Sequence, residues 1–151
     1  MHTLSHATAI NPPGVSPELT AEQVWRGLVM KAENALPFVP GMSRCDVVKR
    51  SGNTLLRDIT VRGGDFRELI TFHAPVQVHF QRVGSGGFIE NTISQSDLGL
   101  ILAFTFSVPF PGVEEGSAAE REMAEAMRDS YVEAIGATLD RVRQLVRDGA
   151  L

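Results

Sequence analysis

The stretch SAAEREMAEAMRDSYVEAIGATLDRVRQLVRDG, Ser117 to Gly149, decides the fold. Ser117 stands three residues ahead of Glu120, the spacing of a capping box, in which a hydroxyl and a carboxylate satisfy backbone N–H groups of a helix's first turn. Met123, Met127, Tyr131, Ile135, Leu139, Val142 and Val146 then recur on one stripe, and Gly149 supplies a stop. At ~1.5 Å per residue such a helix is on the order of 45 Å long, enough to cross a whole sheet.

A helix with one apolar stripe needs a surface to cover, and the preceding residues provide it. From Ser43 to Pro109 apolar residues alternate with polar ones, and turn signals fall at Ser51-Gly52-Asn53, Gly63-Gly64, Ala74-Pro75, Gly84 to Gly87 and Asp97 to Gly99. This predicts six consecutive antiparallel strands. Further back, Thr20 and Gln23 form another capping box at the head of TAEQVWRGLVMKAEN, with Val24, Trp25, Leu28, Val29 and Ala32 on one apolar face. Pro37 and Pro40-Gly41 end that helix, so LPFVPGM reads as a bent turn or loop that packs Phe38 and Val39. At the amino end HATAI reads as a short strand halted at Asn11-Pro12-Pro13, because proline offers no ladder donor.

The expected fold is therefore α+β, a seven-stranded curved antiparallel sheet wrapped around a long C-terminal helix, with residues 1–151 forming a single domain. A curled sheet closing on one helix leaves a cavity between the two, and a ligand would sit there.

Composition narrows the function. A chain of 151 residues, 43% hydrophobic and 21% charged, is an ordinary globular sequence that needs neither metal nor disulfides for its core. Fourteen Lys and Arg against eighteen Asp and Glu give a net charge of −4, which argues against a nucleic-acid partner. The longest apolar run, LGLILAF at Leu98 to Phe104, falls far short of the ~20 residues of a membrane span. MHTLSHATAINPP has no basic segment followed by an apolar one, so no secretion signal is expected. Cys45, the single cysteine, excludes an intramolecular disulfide and fits a reducing compartment, so the expected location is cytoplasmic.

The order of elements resembles the helix-grip fold of the START and birch-pollen-allergen superfamily, SRPBCC. Within it, INPP at Ile10 to Pro13, LTAEQVWRGLVMKAEN at Leu19 to Asn34, FVP at Phe38 to Pro40, IENTI at Ile89 to Ile93 and FTF at Phe104 to Phe106 resemble the AtaL-like branch. That branch comprises small bacterial and fungal proteins without an established activity, so the resemblance implies a fold and transfers no site residue. The superfamily at large implies three kinds of function: carriage of lipids, sterols and other hydrophobic ligands, polyketide cyclase or aromatase chemistry, and chaperone assistance.

The site must come from the sequence itself. Opposed residues of an antiparallel hairpin are fixed by its turn. A Gly63-Gly64 turn puts Arg62 opposite Asp65, Ile59 opposite Glu68 and Arg57 opposite Ile70. A three-residue connection around Ala74-Pro75 sets Phe72 against Val78, Ile70 against Phe80 and Glu68 against Arg82. Turns at Ser85-Gly86 and Asp97-Leu98 set Phe80 against Asn91, Asn91 against Phe104 and Ile93 against Leu102. The inward face is then apolar except for Arg57, Glu68, Arg82 and Asn91, neighbours across four strands. Two guanidiniums against one carboxylate leave a positive group free to hold a carboxylate, phenolate or enolate. The same four residues also make sense as an internal ion-pair network.

Other features carry less. His2 and His6, and His73 and His79, lack a completing Asp or Cys, the first pair sits in a frayed terminus and the second on the outward face, so no metal site is expected. Cys45 lies beside Asp46, which works against a reactive thiolate. VGSGGF precedes a strand and not a helix, so it is a hairpin turn and no phosphate loop. Trp25 is a core residue, whereas Tyr131 brings a hydroxyl onto the inward stripe and is a ligand contact or an acid.

The leading expectation is a protein that binds a small hydrophobic or amphipathic ligand through Arg57, Glu68, Phe80, Arg82, Asn91, Phe104 and Tyr131, with no cofactor and with a homodimer left open. The alternative is a cyclase, aromatase or dehydratase in which Glu68 or Tyr131 does acid–base work. Glu68 held between two arginines favours binding; an isolated Glu68 favours the enzyme. A module that binds a protein partner without a ligand would instead have a continuous interior with no void and an exposed apolar patch.

Overall fold

Nine elements follow one another in the computed structural model, which describes residues 1–151. They are β1 (His2–Ala9), α1 (Ala21–Glu33), β2 (Met42–Ser51), β3 (Thr54–Val61), β4 (Gly64–His73), β5 (Gln77–Val83), β6 (Phe88–Ser94), β7 (Ile101–Val108) and α2 (Ala118–Arg147). The strands form one antiparallel sheet in the order β1-β7-β6-β5-β4-β3-β2, with α2 as the long terminal helix. This is the expected architecture.

Local chemistry explains the helix starts. The Thr20 hydroxyl accepts from the Gln23 N–H at 3.1 Å while the Gln23 side chain accepts from the Thr20 N–H at 2.9 Å. At the head of α2 the Ser117 hydroxyl accepts from the Glu120 N–H at 3.1 Å. The reciprocal half of that expected box is absent. Glu120 accepts instead from the Gly116 N–H at 3.2 Å and meets the Met1 amino group at 2.9 Å, a contact that holds its carboxyl below the usual range.

Two ends of the expectation change. β1 begins at His2, not at His6, and pairs along its length with β7 from His2↔Val108 to Ala9↔Ile101. Its alternating half-buried positions include His2, His6 and Thr8, polar residues that mask the strand period. His2 and His6 therefore belong to a paired strand and not to a frayed end. Four strand residues apart, they are on the order of 13 Å from each other and cannot share a metal. On α2, Met123 is exposed and Ala124 is the buried residue of that turn.

Two hairpins pair two residues away from the expected register. β3 and β4 pair with Val61 opposite Gly64, so Arg57 faces Glu68 and Ile59 faces Phe66. The turn is centred on Arg62-Gly63, both at positive φ (50° and 77°), as a tight two-residue hairpin requires. β5 and β6 likewise pair Phe80 with Ile89 and Val78 with Asn91, because the turn centres on Gly84-Ser85. Each slip is two residues, and side chains alternate with period two, so the inward face keeps its members. The β4–β5 and β6–β7 pairings follow the expectation, with Glu68↔Arg82 and Asn91↔Phe104.

The interior divides along the strands. Leu55, Ile70, Val78, Ile93 and Leu102, at one end of the sheet, are buried against α1 and against Ile135, Leu139 and Val142 of α2. α1 joins this half through Val24, Leu28 and Ala32, and it comes so close to α2 that a Cβ on Gly27 would stand 2.4 Å from Val142 Cγ2. Phe38 is buried and Val39 packs on the same core. Arg143, buried on α2, donates to the Ile10 carbonyl and, at 3.3 Å, to Asn11 Oδ1, tying the helix to the end of β1.

Candidate functional site

The other half of the interior is hollow. Under the amino-terminal part of α2 lies a cavity of about 670 Å³. Its sheet wall carries Ile59, Phe66, Phe80, Ile89, Phe104 and Phe106, and its helix wall carries Met127, Ser130, Tyr131 and Ala134. Here the small side chains of Ser130 and Ala134 flank Tyr131, where the other half of α2 presents Ile135, Leu139 and Val142, and the gap beside them stays unfilled. The continuous interior of a ligand-free module is not what this chain has.

A charged floor separates the hollow half from the packed one. Glu68, 1% exposed, accepts at Oε1 from Arg57 Nε at 3.0 Å and from Arg57 Nη2 at 2.8 Å. Arg57 Nη1 donates to the carbonyls of Lys31 and Ala32 at 3.0 and 2.9 Å, capping the last turn of α1. Cys45 Sγ lies 3.7 Å from the same nitrogen, in a structural position. Arg57 is thus engaged on both sides, as the ion-pair reading expects. Arg82 is not: its Nε is 3.6 Å from Glu68 Oε2, makes no hydrogen bond, and is shielded from solvent, while its guanidinium lies 4.0 Å from the centre of the Phe66 ring. Arg82 is thus the looser of the two guanidiniums, ion-paired with Glu68 but not hydrogen-bonded to it.

Asn91 is fully buried and half-satisfied. Its Oδ1 accepts from Lys31 Nζ at 2.7 Å, which fixes the amide orientation, and its Nδ2 has no partner. Lys31 is a buried member of the site that the sequence reading missed, as it missed Arg62 and Glu133 on the same lining. It is 6% exposed and lines the cavity, with Nζ 4.3 Å from the Phe104 ring centre and 5.6 Å from that of Phe80. Burial, reinforced by the Arg57 charge and only partly opposed by Glu68, lowers its pKa to about 7. The available signal was its position: Lys31 falls seven residues after Val24 and three after Leu28, on the apolar face of its helix.

All seven residues expected at the site, Arg57, Glu68, Phe80, Arg82, Asn91, Phe104 and Tyr131, line the cavity. Tyr131 stacks on Phe106 with ring centres 3.8 Å apart and planes 8° from parallel, and its hydroxyl lies 3.8 Å from Met127 Sδ. Burial pushes its phenol above the usual range, so it is a neutral donor near pH 7. His73 and His79 stay off the inward face; His79 stacks on Phe88 and approaches Glu90 at 3.0 Å. No three His, Cys, Asp or Glu side chains come together as a metal site needs, and no helix is long and apolar enough to cross a membrane.

Comparison with known proteins agrees with this architecture. The family model described as AtaL, acetylaranotin biosynthesis cluster protein L, matches residues 4–149. No curated protein sequence matches the chain. Among solved structures, the Zhui aromatase/cyclase from Streptomyces sp. R1128 superposes with a TM-score of 0.68 at 16% identity, over 96% of this chain and 95% of that one. The di-domain aromatase/cyclase StfQ of the steffimycin biosynthetic pathway gives a TM-score of 0.68 at 12% identity, over 98% of this chain and 52% of that one. The Aha1 dimer from Colwellia psychrerythraea gives a TM-score of 0.59 at 14% identity, over 95% and 97%. At these identities the likeness is one of fold, the helix-grip fold.

Proposed function

The chain belongs to the AtaL family, and on that premise we propose that it binds a small hydrophobic or amphipathic molecule in the cavity between sheet and α2. The observation that carries this reading is a pair of donors without hydrogen bonds: Arg82 Nε and Asn91 Nδ2 are shut away from water beside a cavity about half of whose lining residues are hydrophobic. An unsatisfied buried polar group costs roughly 1–3 kcal/mol, and a ligand carbonyl, carboxylate or enolate would relieve both. Apolar burial at ~25 cal/mol per Å² drives association, while the donors fix orientation. Cytoplasmic residence fits the lone Cys45.

A second reading, acid–base chemistry on a polyketide-like substrate, draws support from the biosynthetic family description and from the aromatase/cyclase folds. Against it, both oxygens of Glu68 face guanidinium groups, which favours binding over proton transfer by that carboxylate.

Native mass spectrometry of the purified protein, with an organic extract analysed for released molecules, tests the proposal. The expected result is a reproducible adduct that is lost in Ala134→Phe, which fills the cavity, while circular dichroism is unchanged. No adduct, together with no enhancement of a hydrophobic fluorescent probe, would sink it.

A further inference from the structure

The chain contains only two lysines among fourteen basic residues, and one of them, Lys31, is buried at the cavity floor. Elsewhere the buried cations, Arg57 and Arg143, are arginines, which bind anions well but are useless as nucleophiles. Lys31 also lacks a carboxylate partner. Glu68 is engaged by Arg57 and faces Arg82, and the only hydrogen bond of Lys31 Nζ goes to the neutral amide oxygen of Asn91. One donated N–H in an apolar setting suits a free amine whose lone pair is unoccupied.

We propose that Lys31 Nζ is a nucleophile that captures an aldehyde or ketone of the cavity's ligand as an imine. The inference rests on the cavity-binding reading and names a chemical class for its ligand: an apolar molecule with a reactive carbonyl. The acceptor's oxygen has a waiting donor, because Asn91 Nδ2, the other arm of the amide that holds Nζ, is unpartnered. In the reaction Nζ adds to the carbonyl carbon and gives a carbinolamine. The carbon–oxygen bond then breaks, the carbon–nitrogen double bond forms, and the oxygen leaves as water with the two hydrogens of the amine. Nothing is oxidised or reduced. The lowered pKa, about 7, keeps a large share of the amine unprotonated at neutral pH, whereas an ordinary exposed lysine is almost wholly protonated. The Phe104 and Phe80 rings accommodate the protonated form between turnovers of binding.

The small amine inventory makes the test clean, since only Lys49, exposed on β2, and the Met1 amino group compete. The intact protein is incubated near pH 7.5 with 2-naphthaldehyde and sodium cyanoborohydride, which reduces an imine to a stable secondary amine, and the label is located by peptide mapping. Lys31 is expected to be labelled at least about tenfold faster than Lys49, reflecting its larger free-amine fraction. Its labelling rate should rise through the neutral range, and 2-naphthalenemethanol, the same ring system without a carbonyl, should compete. Lys31→Arg should lose that label while keeping the label on Lys49; the wild-type map decides the matter even if this variant folds poorly. Retention of 2-naphthalenemethanol in native mass spectra, with label on Lys49 and Met1 alone, overturns the amine chemistry and leaves cavity binding intact. Retention of neither probe, with no label at Lys31, overturns the cavity reading and this inference with it.

Discussion

Lys31 costs the folded protein something that depends on pH. Its pKa falls from 10.5 to about 7 on folding, so between those values the unfolded chain binds more protons than the native state. Stability contributed by this group therefore rises with pH across that window, by up to about 1.4 kcal/mol per unit, and the penalty is complete below the folded value. Lys31→Met removes the titration. Its effect on urea-unfolding stability should be more favourable at pH 6 than at pH 9 by about 3 kcal/mol; equal effects at the two pH values would show that the amine is not held in a desolvated site. The residue was readable by position, as its spacing from Val24 and Leu28 puts it on the buried face. Its charge hid it, because a lysine in the last turn of a helix ordinarily complements the helix dipole or reaches out to water. Arg57, Glu68 and Asn91 were easier to find, since strand alternation exposes a polar residue among apolar ones without reference to any other element.

At the level of elements, hairpin geometry and helix contact were legible to different degrees. The strand faces survived two misplaced turns because each slip was even: Arg62 taking positive φ moved the β3–β4 turn without exchanging inside for outside. What the misplacement concealed was pairing, namely that Arg57 lies directly across from Glu68. The α1–α2 contact was not legible at all. Gly27 looks like a weak spot in a helical pattern, yet it is the point where the two helices touch, and an added Cβ would meet Val142 Cγ2 at 2.4 Å. Gly27→Ala, which would raise helix propensity by about 1 kcal/mol at a free surface, should instead destabilise by roughly 1–3 kcal/mol through overpacking. Thermal unfolding of the variant checks this, and a melting temperature equal to or above that of wild type would mean the helices are less tightly apposed. The partner substitution Val142→Ala in the same background should recover part of the loss, since it removes the methyl groups that clash.

For the whole molecule, the fold was fixed by order and length: seven alternating segments and one helix long enough to cover them admit few arrangements. The cavity was foreseeable as a place, whereas its position and extent depend on how far the sheet curls away from α2, which no local pattern encodes. The two halves of α2 make the outcome concrete. Residues 135–146 carry Ile135, Leu139, Val142 and Leu145 into a filled core, while residues 118–134 touch the sheet through Tyr131 on Phe106 and otherwise offer Ser130 and Ala134 to the cavity. Fewer buried contacts mean a lower free energy of local opening. Amide hydrogen exchange should accordingly be faster over residues 118–134 than over 135–146, although both belong to one continuous helix. The cavity ends of β3 and β4, near Ile59 and Phe66, should follow the faster half. A cavity ligand binds the closed state alone, so at a free concentration one hundred times its Kd it should add about 2.7 kcal/mol to that opening. The protection should appear in residues 118–134 and leave 135–146 nearly unchanged. Uniform slowing along the whole of α2 would place the ligand elsewhere, and equal exchange in both halves without ligand would mean that the hollow end is held as firmly as the packed one, by contacts other than apolar burial.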